Sequence, residues 1–126
     1  MKKILIVDDS ATMRRMIRAS LSNLSNVGFN EAGSGLEAIE RLAISPVDLM
    51  VLDLNMPDMH GMEVVQFVRR HQSYSSIPIV VLTTRGDDSS RIAASDAGVE
   101  LYMTKPFLPN VLSARVRELL DANSQG

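Results

Sequence analysis

The 126-residue sequence contains no cysteine. Disulfides, thiolate metal sites and thiol nucleophiles are therefore excluded, which suits a reducing compartment. Long apolar runs are missing too, since no stretch approaches the ~20 residues of a membrane span. Met1-Lys2-Lys3 followed by Ile4-Leu5-Ile6-Val7 imitates the start of a secretory signal, but Asp8-Asp9 stops the run well short of the ~7–15 apolar residues a signal requires. The segment reads as a buried strand, and a cytoplasmic location is expected. There is no basic excess: 13 Lys and Arg against 15 Asp and Glu give a net charge of -2. Without a basic run as well, nothing attracts nucleic acid or an anionic membrane. No repeat or low-complexity segment occurs. What is present, 45% hydrophobic and 22% charged residues, is ordinary for a soluble globular chain of one domain and one core.

Apolar runs alternate with stretches of helical period. Strands are expected at 3–8, 27–32, 48–53, 77–83 and 99–103, the second less apolar and so near an edge. Helices are expected between and after them. The first, from Ala11 to Leu24, is capped by Ser10 and has Met13, Met16, Ile17, Leu21 and Leu24 on one face. The second carries Leu36, Ile39, Leu42 and Ala43 and stops at Ser45-Pro46. The third carries Met62, Val65, Phe67 and Val68 and ends near His71. The fourth carries Ile92, Ala93 and Ala97 and closes at Gly98. The last carries Val111, Leu112, Arg115, Val116, Leu119 and Leu120, with a polar tail that frays from Asp121. Five such units predict an α/β fold, a parallel sheet with helices on both faces.

Ligands on these sheets bind beyond the carboxyl ends of the strands. Four polar signals fall at those ends: Asp8-Asp9, Asp53, Thr83-Thr84 and Lys105-Pro106. Magnesium accepts one or two carboxylates and keeps several waters, so Asp9 and Asp53 suit it as ligands. Asp8 would act through water or by orienting Asp9, and the backbone carbonyl of Asn55 could add a ligand. Three carboxylates in one crevice repel one another and create demand for a cation. A carboxylate is also a competent nucleophile toward phosphorus. Phosphoryl transfer then needs mainly neutralisation of three equatorial oxygens. Magnesium, the Lys105 ammonium, and the Thr83 hydroxyl with a loop N–H would each take one.

These residues lie in VDDS (7–10), DLNMPDMHG (53–61), LTT (82–84) and LYMTKPF (101–107). In that order and spacing the whole chain resembles the receiver domain of bacterial two-component response regulators, in particular stand-alone chemotaxis regulators of the CheY type. The resemblance implies a flavodoxin-like (βα)5 domain over 1–122 with strand order 2-1-3-4-5, and a short tail at 123–126. It implies Asp53 as phosphoacceptor, Asp8, Asp9, Asp53 and the Asn55 carbonyl as Mg2+ ligands, and Lys105 as the phosphoryl partner. A cis Lys105–Pro106 bond, Thr83 as switch hydroxyl and Tyr102 as switch aromatic follow in the same way. Arg85 falls at a position where the family varies and where lifetimes of the phosphorylated form are tuned. The implied partners are a histidine kinase, a target protein such as the flagellar motor switch, and a phosphatase. The target would bind the surface from Asp88 to Leu120 of a monomer.

Other residues have plainer readings. Arg14, Arg15 and Arg18 form a basic patch on the first helix, either a solvated face or a docking surface for a kinase or phosphatase. Met56, Met59 and Met62 read as adaptable core packing. His60 and His71 lack metal spacing and read as surface residues. Three functions compete. The favoured one is a phosphorylation switch that catalyses only its own modification, in chemotaxis or in a phosphorelay, either as a free protein or as part of a longer regulator. A haloacid-dehalogenase-type hydrolase would want a second Asp where Asn55 stands. An interaction module that no longer takes phosphate would not need the full set of Asp8, Asp9, Asp53, Thr83 and Lys105.

Overall fold

The computed structural model describes residues 1–124. Strands and helices alternate as β1 (Lys2–Val7), α1 (Ala11–Leu21), β2 (Val27–Ala32), α2 (Gly35–Ile44), β3 (Leu49–Leu52), α3 (Gly61–Arg70), β4 (Ile79–Thr83), α4 (Asp88–Asp96), β5 (Leu101–Thr104) and α5 (Pro109–Ser124). The strands form one sheet in the order β2-β1-β3-β4-β5, every neighbouring pair parallel. This is the expected order, and β2 lies at an edge as its weaker apolar character predicts.

Side chains alternate across a strand, so the apolar runs feed two cores at once. On one face Leu5, Val7, Met50, Leu52, Ile79 and Val81 pack with Ala38 and Leu42 of α2 and Val64, Val65 and Val68 of α3. On the other, Ile4, Ile6, Leu49, Val51, Val80 and Leu82 pack with Ile17 and Leu21 of α1 and Leu112, Val116 and Leu120 of α5. Each such Val, Leu, Ile or Met side chain contributes about 1.5–3 kcal/mol by leaving water. Among the described residues no helix is long and apolar enough to cross a membrane.

Helix ends follow from local chemistry. The Ser10 hydroxyl accepts the Met13 N–H at 3.2 Å, the predicted cap of α1. Gly98, at φ +84°, follows α4 and donates to the Ser95 carbonyl, while Val99 donates to that of Ala94. This is a Schellman closure, and the left-handed residue within it favours glycine. It also moves the start of the last strand from the predicted 99 to Leu101, because the Val99 N–H is already committed to the helix.

Several expected core positions face water instead. Met16, Leu36, Ile92 and Val111 are exposed, as are Ala43 and Ala93. Each lies on the shoulder of its helix, and the line against the sheet is narrower than the apolar stripe in the sequence. On α4 only Ala94 is buried. Leu24 is buried, but beyond the end of α1 at Leu21. At the other terminus α5 continues past Asp121 to Ser124. Of the tail expected at 123–126, residues 125 and 126 lie outside the described residues.

Candidate functional site

Register brings the polar signals together. Val7 pairs with Leu52, so Asp8 and Asp53 leave adjacent strand ends, and the Asp53 N–H donates to the Val7 carbonyl at 3.0 Å. Thr83 pairs with Thr104, which sets Lys105 beside them; its N–H donates to the Thr83 carbonyl at 2.8 Å. Asp8, Asp9 and Asp53 each offer a carboxylate oxygen within 4.8 Å of the others. Asp8, Asp53 and Thr83 are buried at 1%, 5% and 0% exposure, whereas Asp9 opens to solvent.

Lys105 supplies the counter-charge. Its Nζ lies 2.6 Å from Asp8 Oδ2 and 3.5 Å from Asp53 Oδ2. The second oxygens accept backbone N–H groups: Asp8 Oδ1 from Ser10 at 2.9 Å and Asp53 Oδ1 from Asn55 at 3.2 Å. One ammonium against three carboxylates leaves the crevice negative. Its donors are all oxygens, and the exposed Asp9 leaves room for water, so the set fits a hard divalent cation such as Mg2+. The Lys105–Pro106 bond is cis. Thr83 Oγ1 accepts the Arg85 N–H at 3.3 Å. Thr84 points elsewhere, accepting the Asn55 side-chain amide at 3.2 Å.

The loop after Asp53 is fastened at two points. Asp58 accepts the Gly35 and Leu36 N–H groups at the start of α2, both at 3.1 Å. Those two hydrogen bonds, from Leu36 and then Gly35, hold its carboxyl below the ordinary value. At Gly61 a Cβ would stand 2.6 Å from both the Asp53 carbonyl oxygen and Leu54 Cα. Only glycine lets α3 begin this close to the strand end.

On the far rim Arg85 faces His60 Nε2 at 3.1 Å and Asp87 at 3.8 Å. Asp87 caps α4, and the Ser89 and Ser90 hydroxyls with the Ser90 N–H hold its carboxyl far below the usual range. Tyr102 is half-buried, its hydroxyl donating to the Arg85 carbonyl and its ring covered by Arg91 at 4.8 Å. Burial pushes its phenol up.

On α1, Arg14 and Arg18 are ion-paired with Glu31 at 2.9 and 3.3 Å; Arg15 and Arg18 face solvent, while Arg14 is half-buried. His60 and His71 are exposed and stand outside the acidic cluster. Met56 is buried, with Met59 and Met62 packed against the core. The sequence reading missed what Asp58 and Arg14 hold, because their partners are 23 and 17 residues away and no local pattern marks them.

A family model for the response regulator receiver domain matches residues 4–117. The chain belongs to the response regulator receiver family. This receiver is 42% identical over 122 residues to chemotaxis protein CheY1 of Helicobacter pylori, covering 96% of this chain and 98% of that one. It is 39% identical to the transcriptional regulatory protein ResD of Bacillus subtilis, covering 98% of this chain but 50% of ResD. Among solved structures, chemotaxis response regulator CheY4 of Vibrio cholerae superposes with a TM-score of 0.85 at 31% identity, over 94% of this chain and 98% of that one. A receiver is a module of two-component signalling rather than a classical enzyme, and the chemotaxis relatives match nearly end to end.

Proposed function

We propose that this receiver accepts a phosphoryl group on Asp53 from a histidine kinase and thereby changes the affinity of its α4–β5–α5 surface for a target protein. The observation that carries this reading is the half-buried Lys105 ammonium set between Asp8 and Asp53, with Asp9 beside them. A carboxylate oxygen of Asp53 attacks phosphorus as the bond to the donor's leaving group breaks. With acetyl phosphate the products are the aspartyl phosphate and acetate. Asp8, Asp9, Asp53 and the Asn55 carbonyl would hold Mg2+, which neutralises phosphoryl charge when bound. Lys105 follows the new charge, and the Thr83 hydroxyl donates to it. The modification adds roughly -1.5 to -2 charges. Shifting a two-state surface from 1:99 to 99:1 needs about 5.5 kcal/mol of differential binding. Tyr102, bonded to the carbonyl two residues past Thr83, connects that loop to the output surface.

Chemotaxis, with the flagellar motor switch as target and a phosphatase as terminator, is favoured by relatives covered over nearly their full length. A phosphorelay, or a place within a longer regulator, is the second reading, supported by the half-length match to ResD. The Asn in the position of a hydrolase acid speaks against turnover on small phosphoesters. The protein is read as a cytoplasmic monomer with one receiver over 1–122. Incubation with Mg2+ and acetyl phosphate should add one phosphate mass to wild type and none to Asp53→Asn. No uptake by wild type would sink the reading.

A further inference from the structure

Asp8 and Asp53 are each held by a backbone N–H and by Lys105. Asp9 differs. Among the described residues its carboxylate has no hydrogen bond or ion pair, although its oxygen belongs to the acidic cluster. Its placement therefore depends on the backbone that presents it, the peptide joining Asp8 to Asp9. That peptide is planar, so fixing its carbonyl oxygen fixes the plane from which Asp9 departs. The oxygen is gripped: Arg14 donates an Nη1–H to the Asp8 carbonyl at 2.7 Å.

The guanidinium is itself fixed from a third element. Its Nε donates to Glu31 Oε1 at 2.9 Å, and the other Glu31 oxygen accepts from Arg18 at 3.3 Å. Glu31 lies on β2 opposite Ile6 of β1. The Arg14 side chain is 19% exposed, and a Cβ on Gly33 would come within 3.3 Å of its Nη1, so the turn after β2 leaves room for it. Two N–H groups of one rigid plane thus serve two acceptors, a task suited to arginine and not to the single ammonium of lysine.

We infer that Arg14, braced by Glu31, is a positioning residue that orients the Asp8–Asp9 peptide and so sets the cation affinity of the site. This rests on the proposed Mg2+ site and goes beyond it by assigning part of its affinity to a residue that touches neither metal nor phosphate. Outer partners of metal ligands are typically worth 10–100-fold in affinity. The test is Mg2+ titration calorimetry on unphosphorylated protein, with thermal unfolding measured in parallel. Arg14→Gln should weaken Mg2+ binding roughly tenfold or more, and Arg14→Lys should weaken it comparably despite keeping the charge. Glu31→Gln should shift it less, in the same direction.

Arg69→Gln is the control. Arg69 is likewise ion-paired, to Glu100 at 2.7 Å, but at the opposite end of the sheet; its loss should lower the unfolding temperature and leave Mg2+ affinity unchanged. If Arg14→Gln loses stability but binds Mg2+ like wild type, or if Arg14→Lys restores wild-type affinity, the inference is overturned. Should Arg14→Gln not fold, Glu31→Gln decides, with unchanged affinity overturning the idea. A wild type that takes up no Mg2+ would overturn the site as well, which separates the two failures.

Discussion

Lys105 is 2.6 Å from Asp8 and 3.5 Å from Asp53, so the ammonium is bound most closely to a carboxylate that is not the proposed acceptor. Asp53 consequently carries more repulsion from Asp8 and Asp9 than attraction from Lys105. Asp53→Asn should be more stable than wild type in Mg2+-free buffer, by about 1 kcal/mol, measured by urea unfolding; a loss of stability would contradict that charge balance. Asp58 gives a pH prediction. Its carboxyl is held below the ordinary 3.8 in the folded state, so its ionised form stabilises the fold. That contribution is complete well above this ordinary, unfolded-state value. It declines as pH falls below that and is lost once the folded carboxyl protonates. Asp58→Asn should therefore unfold at a lower temperature than wild type at pH 6, and the gap should close as the pH drops below about 4. A gap that widens in acid would refute it. Asp53 and Lys105 were legible because a strand end is a local pattern. Asp58 and Arg14 carry no such mark, since contacts 23 and 17 residues apart exist only after the sheet forms.

The elements were legible in number, type and order, and the errors lie in some of their bounds and in which side a helix presents. Ile92 is the largest apolar residue of the expected α4 stripe, yet the buried residue is Ala94. A short helix rich in Ser and Asp offers the period little to choose between. The physical result is a helix held by one small buried side chain, whereas α3 buries Gly61, Val64, Val65 and Val68. Thin packing gives low local stability. Amide exchange should accordingly be faster through Asp88–Asp96 than through Gly61–Arg70, and equal protection would show that α4 is anchored by something other than burial. At Gly61 the demand is steric. Gly61→Ala would push a methyl to 2.6 Å from two backbone atoms, and we expect a cost of at least about 1–3 kcal/mol in urea unfolding.

Across the whole molecule, β1 belongs to both cores, with Leu5 and Val7 on one side and Ile4 and Ile6 on the other. The cores cannot melt separately while they share that strand. Ile6→Ala should cost about 2–5 kcal/mol and still give one transition, with circular dichroism and tyrosine fluorescence coinciding. Two separated transitions would mean that the faces are independent. The strand order itself is implied by the family resemblance, and the two-sided apolar runs of β1, β3 and β4 suit the three interior places that it gives them. The placement of the tyrosines has an optical consequence. The chain has two tyrosines and no tryptophan. Tyr102 is hydrogen-bonded to the loop after Thr83, while Tyr74 stacks on His71 at 4.1 Å beyond the end of α3. The molecule thus carries one chromophore beside the proposed switch and another remote from it, a built-in signal and reference for following the proposed activation without a label.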